Sequence, residues 1–199
     1  MKSLFYFVAF AAVSFCAGCL DSNEGFLHFD FIVNYDTPES TIPGNPILSL
    51  LPPQSLPEIP VDMNTDSEFN SQIFDHLVDI ELRQLVFTIT ASSTDPAVDL
   101  LEPATPTPDD WSFLESVEIW FRNPTTLEEG LAAYIAAGDT QLDPGNSNLS
   151  FACTEIDLLD YFDGGNNTVL VIKAVGTTPP DDVIFQVSAR FRVVAALIK

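Results

Sequence analysis

Lysine and arginine are scarce in this sequence. The 199 residues include 7 lysines and arginines against 29 aspartates and glutamates, which gives a formal net charge of −22 at pH 7. Proteins that bind nucleic acids carry a basic patch or stripe that neutralises phosphates. The composition therefore excludes nucleic acid as an expected partner, and it argues against direct adhesion to anionic lipid headgroups.

Histidine and cysteine are also rare, with two and three residues respectively. His28 and His76 match no metal-ligand spacing such as HxxxH, and the sequence contains no GxSxG nucleophile motif. Carboxylates are so numerous that chance pairs are inevitable, so a carboxylate-based hydrolase stays open as an alternative but no catalytic residue can be assigned. We therefore expect no enzymatic activity.

Glycine is less frequent than proline, with 9 glycines against 15 prolines. This balance indicates long, extended connections rather than a series of tight hairpins. Residues 38–60 contain several prolines and cannot form a central strand. The apolar residues in this stretch argue against free disorder, so we expect an extended surface loop that packs on the folded domain.

Apolar side chains alternate with a period of two along much of the remaining chain. This pattern predicts strands over residues 26–35, 78–89, 113–122, 148–153, 168–175 and 183–193. The alternation changes phase at Arg83-Gln84, as a β-bulge would make it do. Capping residues at helical spacing predict short helices over residues 65–76 and 154–162, whereas Leu131 to Ala136 fits either a helix or a strand.

These elements predict an all-β protein, an antiparallel immunoglobulin-like β-sandwich of about seven strands with one to three short helices in the connections. The cysteine-tryptophan-cysteine pattern of true immunoglobulin domains is absent. We expect one domain over residues 26–199.

The N-terminal segment has the three parts of a secretory signal. Lys2 is positive, an apolar run extends from Leu4 to Phe15, and small residues precede Cys19. The ending Ala17-Gly18-Cys19 resembles the lipobox of bacterial lipoproteins, although Cys16 stands where that pattern usually has leucine. The resemblance covers only this segment.

The resemblance implies a lipoprotein signal peptide over residues 1–18, lipidation (with palmitate among the acyl chains) at Cys19, and a lipid-anchored tether over residues 19–25. The domain would then face the periplasm or the cell exterior in the cell envelope. Leu20 follows the lipidated cysteine instead of the aspartate associated with inner-membrane retention, which favours the outer membrane. Cys153 would remain as a lone thiol, and its alternating strand indicates a small buried hydrophobe.

Two groups of residues are candidates for ligand binding. The loop over residues 95–110 carries Asp95, Asp99, Asp109 and Asp110, and loop carboxylates are the ligands that Ca²⁺ prefers, although their spacing matches no EF-hand. Trp111 and Trp120 are candidate platforms for stacking against a sugar or a protein, with core packing as the alternative for both.

No constellation in the sequence specifies a reaction. We expect a membrane-anchored, non-enzymatic interaction or structural module that needs no cofactor and binds a protein partner in the envelope. The alternative is a calcium- or carbohydrate-binding adhesion domain.

Overall fold

The computed structural model describes residues 26–44, 56–63, 76–92, 110–163, 167–179 and 182–198. Several predictions lie outside these residues: the signal peptide, Cys19, the tether, the helix over residues 65–76 apart from His76, and the calcium candidates Asp95, Asp99 and Asp109. The part of the chain that is described contains no helix long and apolar enough to cross a membrane.

Two antiparallel sheets of five strands each form a β-sandwich, which confirms the predicted fold class. The first sheet contains β1 (Phe26–Asp36), β2 (Ser40–Ile42), β4 (Leu77–Ser92), β7 (Asn148–Ser150) and β10 (Val183–Ile198). The second sheet contains β3 (Glu58–Asp62), β5 (Leu114–Arg122), β6 (Glu129–Ile135), β8 (Ala152–Cys153) and β9 (Asn167–Gly176). The strand number exceeds the expected seven because several short strands lie at the sheet edges.

In the first sheet the strand order is β1-β10-β4-β7, and β2 continues the edge beside β10 where β1 ends. In the second sheet the order is β3-β9-β5-β6-β8. The extended loop predicted over residues 38–60 is wrong at both ends, because β2 lies inside this stretch and β3 begins in it. Pro60 lies in β3, an edge strand, which is where a residue without a backbone N–H is tolerated.

β4 and β10 form the centre of the first sheet and run antiparallel for most of their length. The register shifts at three places, where Val78, Arg83 and Thr90 of β4 have no partner in β10. The shift at Arg83 confirms the predicted bulge, and it puts Leu82 and Leu85 on the same buried side although they lie three residues apart. Because bulges bend and twist a strand, β4 can follow the curvature of the sandwich.

The ambiguous segment around residues 131–136 is a strand, β6, which pairs with β5. The helix predicted over residues 154–162 is wrong, because only Leu159–Tyr161 forms a turn of 3₁₀ helix. The Thr154 N–H donates to the carbonyl oxygen of Ala132, and the Thr154 hydroxyl donates to that of Leu131 at 2.8 Å. Thr154 therefore extends the pairing of β8 with β6 instead of capping a helix.

The strand predicted over residues 148–153 is divided between the two sheets. β7 pairs with β4 in the first sheet, whereas β8 pairs with β6 in the second. Between them Phe151 is buried, and its ring centroid lies 4.7 Å from that of Phe87. The chain thus crosses the sandwich at Phe151.

Aromatic side chains fill much of the space between the sheets. Toward one end Phe121 of the second sheet packs edge-on against Phe191 of the first, with their ring centroids 5.9 Å apart. Toward the other end Trp111 packs edge-on against Phe185 at 5.6 Å. Apolar residues of both sheets thus form one continuous core.

The two ends of the sandwich differ in the connections that they carry. At the near end Phe26 pairs with Ile198, where β1 begins and β10 finishes. At the far end Val183 pairs with Ile42 and with Ser92, and the loop over residues 136–147 lies there beside Trp111. We use the names near end and far end in this sense below.

Candidate functional site

Trp111 belongs to the core and is not a stacking platform. Its side chain is 1% exposed and packs against Phe87, Phe113 and Phe185. The alternation of the neighbouring strand could not reveal this, because Trp111 precedes β5 and lies outside its alternating pattern. Its indole Nε1 is buried and has no hydrogen-bond partner in the structure.

Asp110 is the one calcium candidate that falls within the described residues. Its two carboxylate oxygens accept hydrogen bonds from the Ser112 N–H at 2.9 Å and from the Gly145 N–H at 2.7 Å. Burial opposes ionisation, but the hydrogen bonds from Ser112 and Gly145 outweigh it and hold the pKa of Asp110 below its usual value. Asp110 therefore fastens the far-end loop to the start of the β5 segment.

The described residues contain no group of three or more histidine, cysteine or acidic side chains placed to hold a metal ion. His76 is exposed, and its backbone carbonyl accepts from the Ala196 N–H at 2.8 Å. Cys153 is a partly buried free thiol that packs against the core, and burial raises its pKa. A raised pKa reduces the thiolate fraction and hence the reactivity of the sulfur.

Trp120 lies on the outward side of the second sheet, opposite in phase to the buried Ile119 and Phe121. The strand register places Glu118 between Tyr134 and Lys173, and Trp120 between Leu131 and Val171. Arg122 lies beside Glu129 in the next row. We call this outward surface the tryptophan face; it consists of Glu58, Glu118, Trp120, Arg122, Glu129, Leu131, Tyr134, Val171, Lys173 and Val175.

Large apolar and aromatic side chains are exposed on the tryptophan face. Val175 is 58% exposed and Tyr134 is 43% exposed, and Trp120 is partly exposed in the row next to that of Tyr134, on the side away from Val175. Val171 is only 9% exposed although it is not part of the interior core, so outward neighbours on this face cover it. The tryptophan face thus combines an exposed aromatic surface with a small apolar layer of its own.

Charged side chains hold Trp120 in place. The indole Nε1 donates to Glu118 Oε2 at 3.0 Å, and Lys173 Nζ lies 4.0 Å from the centroid of the indole ring. A cation at that distance from a tryptophan ring is attracted by the π electrons. Lys173 Nζ also donates to Glu129 Oε2 at 2.5 Å.

Arg122 extends this set of interactions across the second sheet. It forms ion pairs with Glu58 at 2.5 Å and with Glu129 at 3.7 Å. The hydrogen bond to Glu58 and the charges of both glutamates raise the pKa of Arg122 above its usual value. Ion pairs thus connect β3, β5, β6 and β9, and they fix the positions of the charges around Trp120.

The outward side of the first sheet is organised around Arg192 and is called the arginine face here. Arg192 forms ion pairs with Asp30 at 3.0 Å, Asp79 at 3.2 Å and Glu81 at 3.3 Å. Glu81 also pairs with Arg83. Burial, together with the charges of Glu81 and Asp157, raises the pKa of Asp79 above 3.8 despite the presence of Arg192.

The alternation of β5 puts Trp120 on the side opposite Val117 and Ile119, with stacking and core packing both open. The structure places Trp120 on the outward side of the sheet, partly exposed. Its companions Tyr134, Lys173, Arg122 and Glu129 were not predicted as site residues. Strand phase alone could have put Lys173 on the outward side of β9. Bringing it next to Trp120 also requires the β5–β9 pairing, which no local pattern in the sequence specifies.

Comparisons with known proteins give no family. No family model matches the chain, and no curated protein matches it. Among solved structures, a chain from Desmodium yellow mottle tymovirus aligns at 10% identity over 100% of this chain and 98% of that one, with a TM-score of 0.29. A likeness at this TM-score supports no argument about function.

Proposed function

We propose that this protein is a lipid-anchored, extracytoplasmic interaction module without enzymatic activity, which binds an envelope protein through its tryptophan face. The localisation part of the proposal rests on the signal segment and on lipidation at Cys19, with the outer membrane as the favoured membrane. The observation that carries the binding proposal is that Tyr134 and Val175 are exposed, and Trp120 is partly exposed, on one face of the second sheet.

Protein interfaces are enriched in tryptophan, tyrosine and arginine and are depleted in other charged residues at their centre. The tryptophan face shares the aromatic and arginine part of this composition through Trp120, Tyr134 and Arg122. Its other central charges, Glu118, Glu129 and Lys173, are paired with one another or with Trp120. The contacts of Trp120 with Glu118 and Lys173, and the ion pairs of Arg122, fix these side chains before a partner arrives, which reduces the entropy lost on binding. A partner surface that is apolar at its centre and carries hydrogen-bond acceptors for the Tyr134 hydroxyl would fit.

The test is a cross-linked pull-down of tagged, lipidated protein from native membranes, read by mass spectrometry, with Trp120→Ala and Tyr134→Ala as variants. We expect one stoichiometric partner that is lost with either variant and retained with Ile32→Ala. Ile32 is the matched control because it is 45% exposed on the arginine face. Retention of the partner by both face variants would reject the tryptophan face as the binding surface.

The anchor has a separate test. Cys19→Ser should abolish incorporation of labelled palmitate and release the domain into the soluble fraction. Continued membrane association of the Cys19→Ser protein would reject the lipobox interpretation, whatever the tryptophan face binds.

A carbohydrate-binding adhesion domain is the second candidate, and the Trp120–Glu118 pair is the observation that favours it. An indole ring with a carboxylate beside it offers both stacking and hydrogen bonding to a sugar. Binding on a glycan array that Trp120→Ala abolishes would favour this candidate over a protein partner. The calcium part of this alternative concerns Asp95, Asp99, Asp109 and Asp110, and a rise in melting temperature at millimolar Ca²⁺ would support it.

A further inference from the structure

Leu127 is an exposed hydrophobic residue in a left-handed backbone conformation. Its side chain is 66% exposed, the highest value among the large hydrophobic residues that the structure describes. Its backbone is left-handed, with φ at 64°, and it is the one non-glycine residue with positive φ in the described part of the chain. A left-handed conformation is costly for leucine, whereas glycine or asparagine would adopt it readily.

The turn that carries Leu127 is rigidly built. Asn123 is buried, and its Oδ1 accepts from the backbone N–H groups of Thr125 and Thr126 at 2.9 and 3.1 Å. The backbone of Asn123 bonds to both Leu127 and Glu128, which closes the turn. The Thr125 hydroxyl donates to Asp163 Oδ2 at 2.8 Å. The fold therefore presents the leucine side chain to solvent at a fixed position.

The turn lies toward the near end of the sandwich. Asn123 Nδ2 donates to the carbonyl oxygen of Asp160, and the nearby Leu158 N–H donates to that of Ile80. Ile80 pairs with Val193, which in turn pairs with Phe31 in the middle of β1, five residues from Phe26. Leu127 therefore lies in the same half of the molecule as the chain entering at Phe26.

The length of the tether brings this end close to the membrane. Six residues lie between Cys19 and Phe26, and the seven steps from Cys19 to Phe26 span about 25 Å even when fully extended. β10 alone has 16 residues, which corresponds to a length of about 50 Å. A lipid at Cys19 therefore holds the near end within reach of the bilayer, while the far end can stand well away from it.

We infer that Leu127 inserts into the interface of a zwitterionic bilayer, so that the lipid-anchored domain stands with its near end on the membrane and its tryptophan face at the side. This inference rests on the proposed anchor at Cys19. Glu128 and Asp163 are exposed beside Leu127 and would be repelled by anionic headgroups, which is why the surface is expected to be zwitterionic. One leucine adds weakly to the acyl chains and sets orientation more than affinity.

The test uses the full, lipidated chain with Cys153→Ser, reconstituted in phosphatidylcholine vesicles. Single cysteines carrying an environment-sensitive dye replace Leu127 at the near end, Asp143 at the far end or Tyr134 on the tryptophan face. We expect a blue shift and quenching by nitroxide-labelled lipid for Leu127→Cys alone. Equal quenching at Tyr134→Cys, or none at Leu127→Cys, in protein that floats with the vesicles would overturn the inference.

A second series does not depend on replacing Leu127 with the dye. With the dye on Thr126→Cys, the additional change Leu127→Gly should relieve the backbone and leave the fold intact while reducing the quenching. Unchanged quenching would contradict a role for the leucine side chain. Replacing half of the lipid with phosphatidylglycerol at low salt should weaken quenching, and a stronger signal would contradict the proposed lipid preference.

Flotation separates failure of the anchor from failure of the inference. Lipidated protein that does not float would remove the anchor and the inference together, whereas floating protein with an unquenched Leu127 site removes only the inference. A dye at Leu127→Cys that shifts only after native membrane proteins are added, and not with lipid alone, would overturn the inference in favour of a protein partner for this turn.

Discussion

The two outward faces of the sandwich use their charges differently. On the arginine face, Arg192 is shared by Asp30, Asp79 and Glu81, so negative groups outnumber the cation that holds them. On the tryptophan face, Arg122 and Lys173 share Glu129, and Lys173 also lies over the ring of Trp120. One face uses its cation to keep carboxylates together, whereas the other uses its cations to position an aromatic ring.

The charges of the arginine face stabilise the first sheet, whereas the tryptophan face carries exposed aromatic side chains that the fold does not need. The carboxylates around Arg192 come from β1 and β4, the two strands that flank β10, so this cluster stabilises the centre of the first sheet. Exposed aromatic side chains contribute little to the stability of a sandwich whose core is already complete. Their presence on the tryptophan face is the basis of the binding proposal.

The largest change in the free energy of unfolding is expected when Trp111 is replaced, with the same replacement of Trp120 as the comparison. Trp111→Ala should lower the free energy of unfolding by about 3–5 kcal/mol, because it leaves a cavity among Phe87, Phe113 and Phe185. Trp120→Ala should lower it by about 0.5–1 kcal/mol, the value of an exposed cation–π contact. Chemical denaturation measures both. Similar losses would mean that Trp120 is structural and would remove the basis for treating its face as a binding surface.

A smaller effect is expected at the centre of the arginine face. Arg192→Ala should lower the free energy of unfolding by about 1–2 kcal/mol, because three carboxylates then lose their shared cation and partial solvent exposure screens the loss. Arg192→Lys is the control, since it keeps the charge but not the fork of donors. Stability unchanged in Arg192→Ala would show that the carboxylates separate without cost.

Asp79 makes the contribution of the arginine face to folding stability depend on pH. Burial and the neighbouring carboxylates raise its pKa in the folded state, so the folded protein binds more protons at this group than the unfolded chain does. The contribution of Asp79 to stability is thus most favourable below its unfolded value of 3.8 and is lost as the pH rises through the raised pKa.

Asp79→Asn should accordingly increase the melting temperature at pH 7 and leave it nearly unchanged at pH 3. Melting curves at the two pH values measure this, with Asp36→Asn, outside the Arg192 cluster, as the control. A lower melting temperature for Asp79→Asn at pH 7 would mean that its ion pair with Arg192 outweighs burial and repulsion, contrary to the direction of the pKa shift.

The smallest effect is expected from Lys173 on the tryptophan face. Lys173→Gln should cost about 0.5 kcal/mol of stability, because its ion pair and its contact with the indole ring are both partly solvated. It should nevertheless change the fluorescence of Trp120, since the charge over the ring is lost. A spectrum identical to that of the unaltered protein would show that the Lys173–Trp120 contact is not maintained in solution.

The sequence predicted the fold class and the positions of the long strands because their side chains alternate strictly. The predicted strand over residues 113–122 is present, with Val117, Ile119 and Phe121 all buried, and the phase change at Arg83 correctly marked a bulge. These features depend on a local period of two, which a strand with one buried side imposes on its own residues.

Features that depend on pairing between distant segments were not predictable in the same way. The capping pattern at Thr154 suggested a helix, but the carbonyl groups of β6 compete for the same side chain and backbone N–H. The division of residues 148–153 between two sheets, and the meeting of Lys173 with Trp120, likewise depend on which strands become neighbours. The pattern of apolar and polar residues within a strand is the same whichever strand pairs with it, so it does not predict the partner.

The pairing of β1 with β10 also determines how the domain would respond to force. Eleven consecutive residues of β1 pair with β10, and β1 begins at the end of the sheet where the chain enters. Tension that reaches Phe26 from a membrane anchor, against a load held by the second sheet, would run parallel to the strands. The hydrogen bonds of that ladder would then be loaded together in shear rather than opened one after another, which is the direction in which a β-ladder resists rupture best.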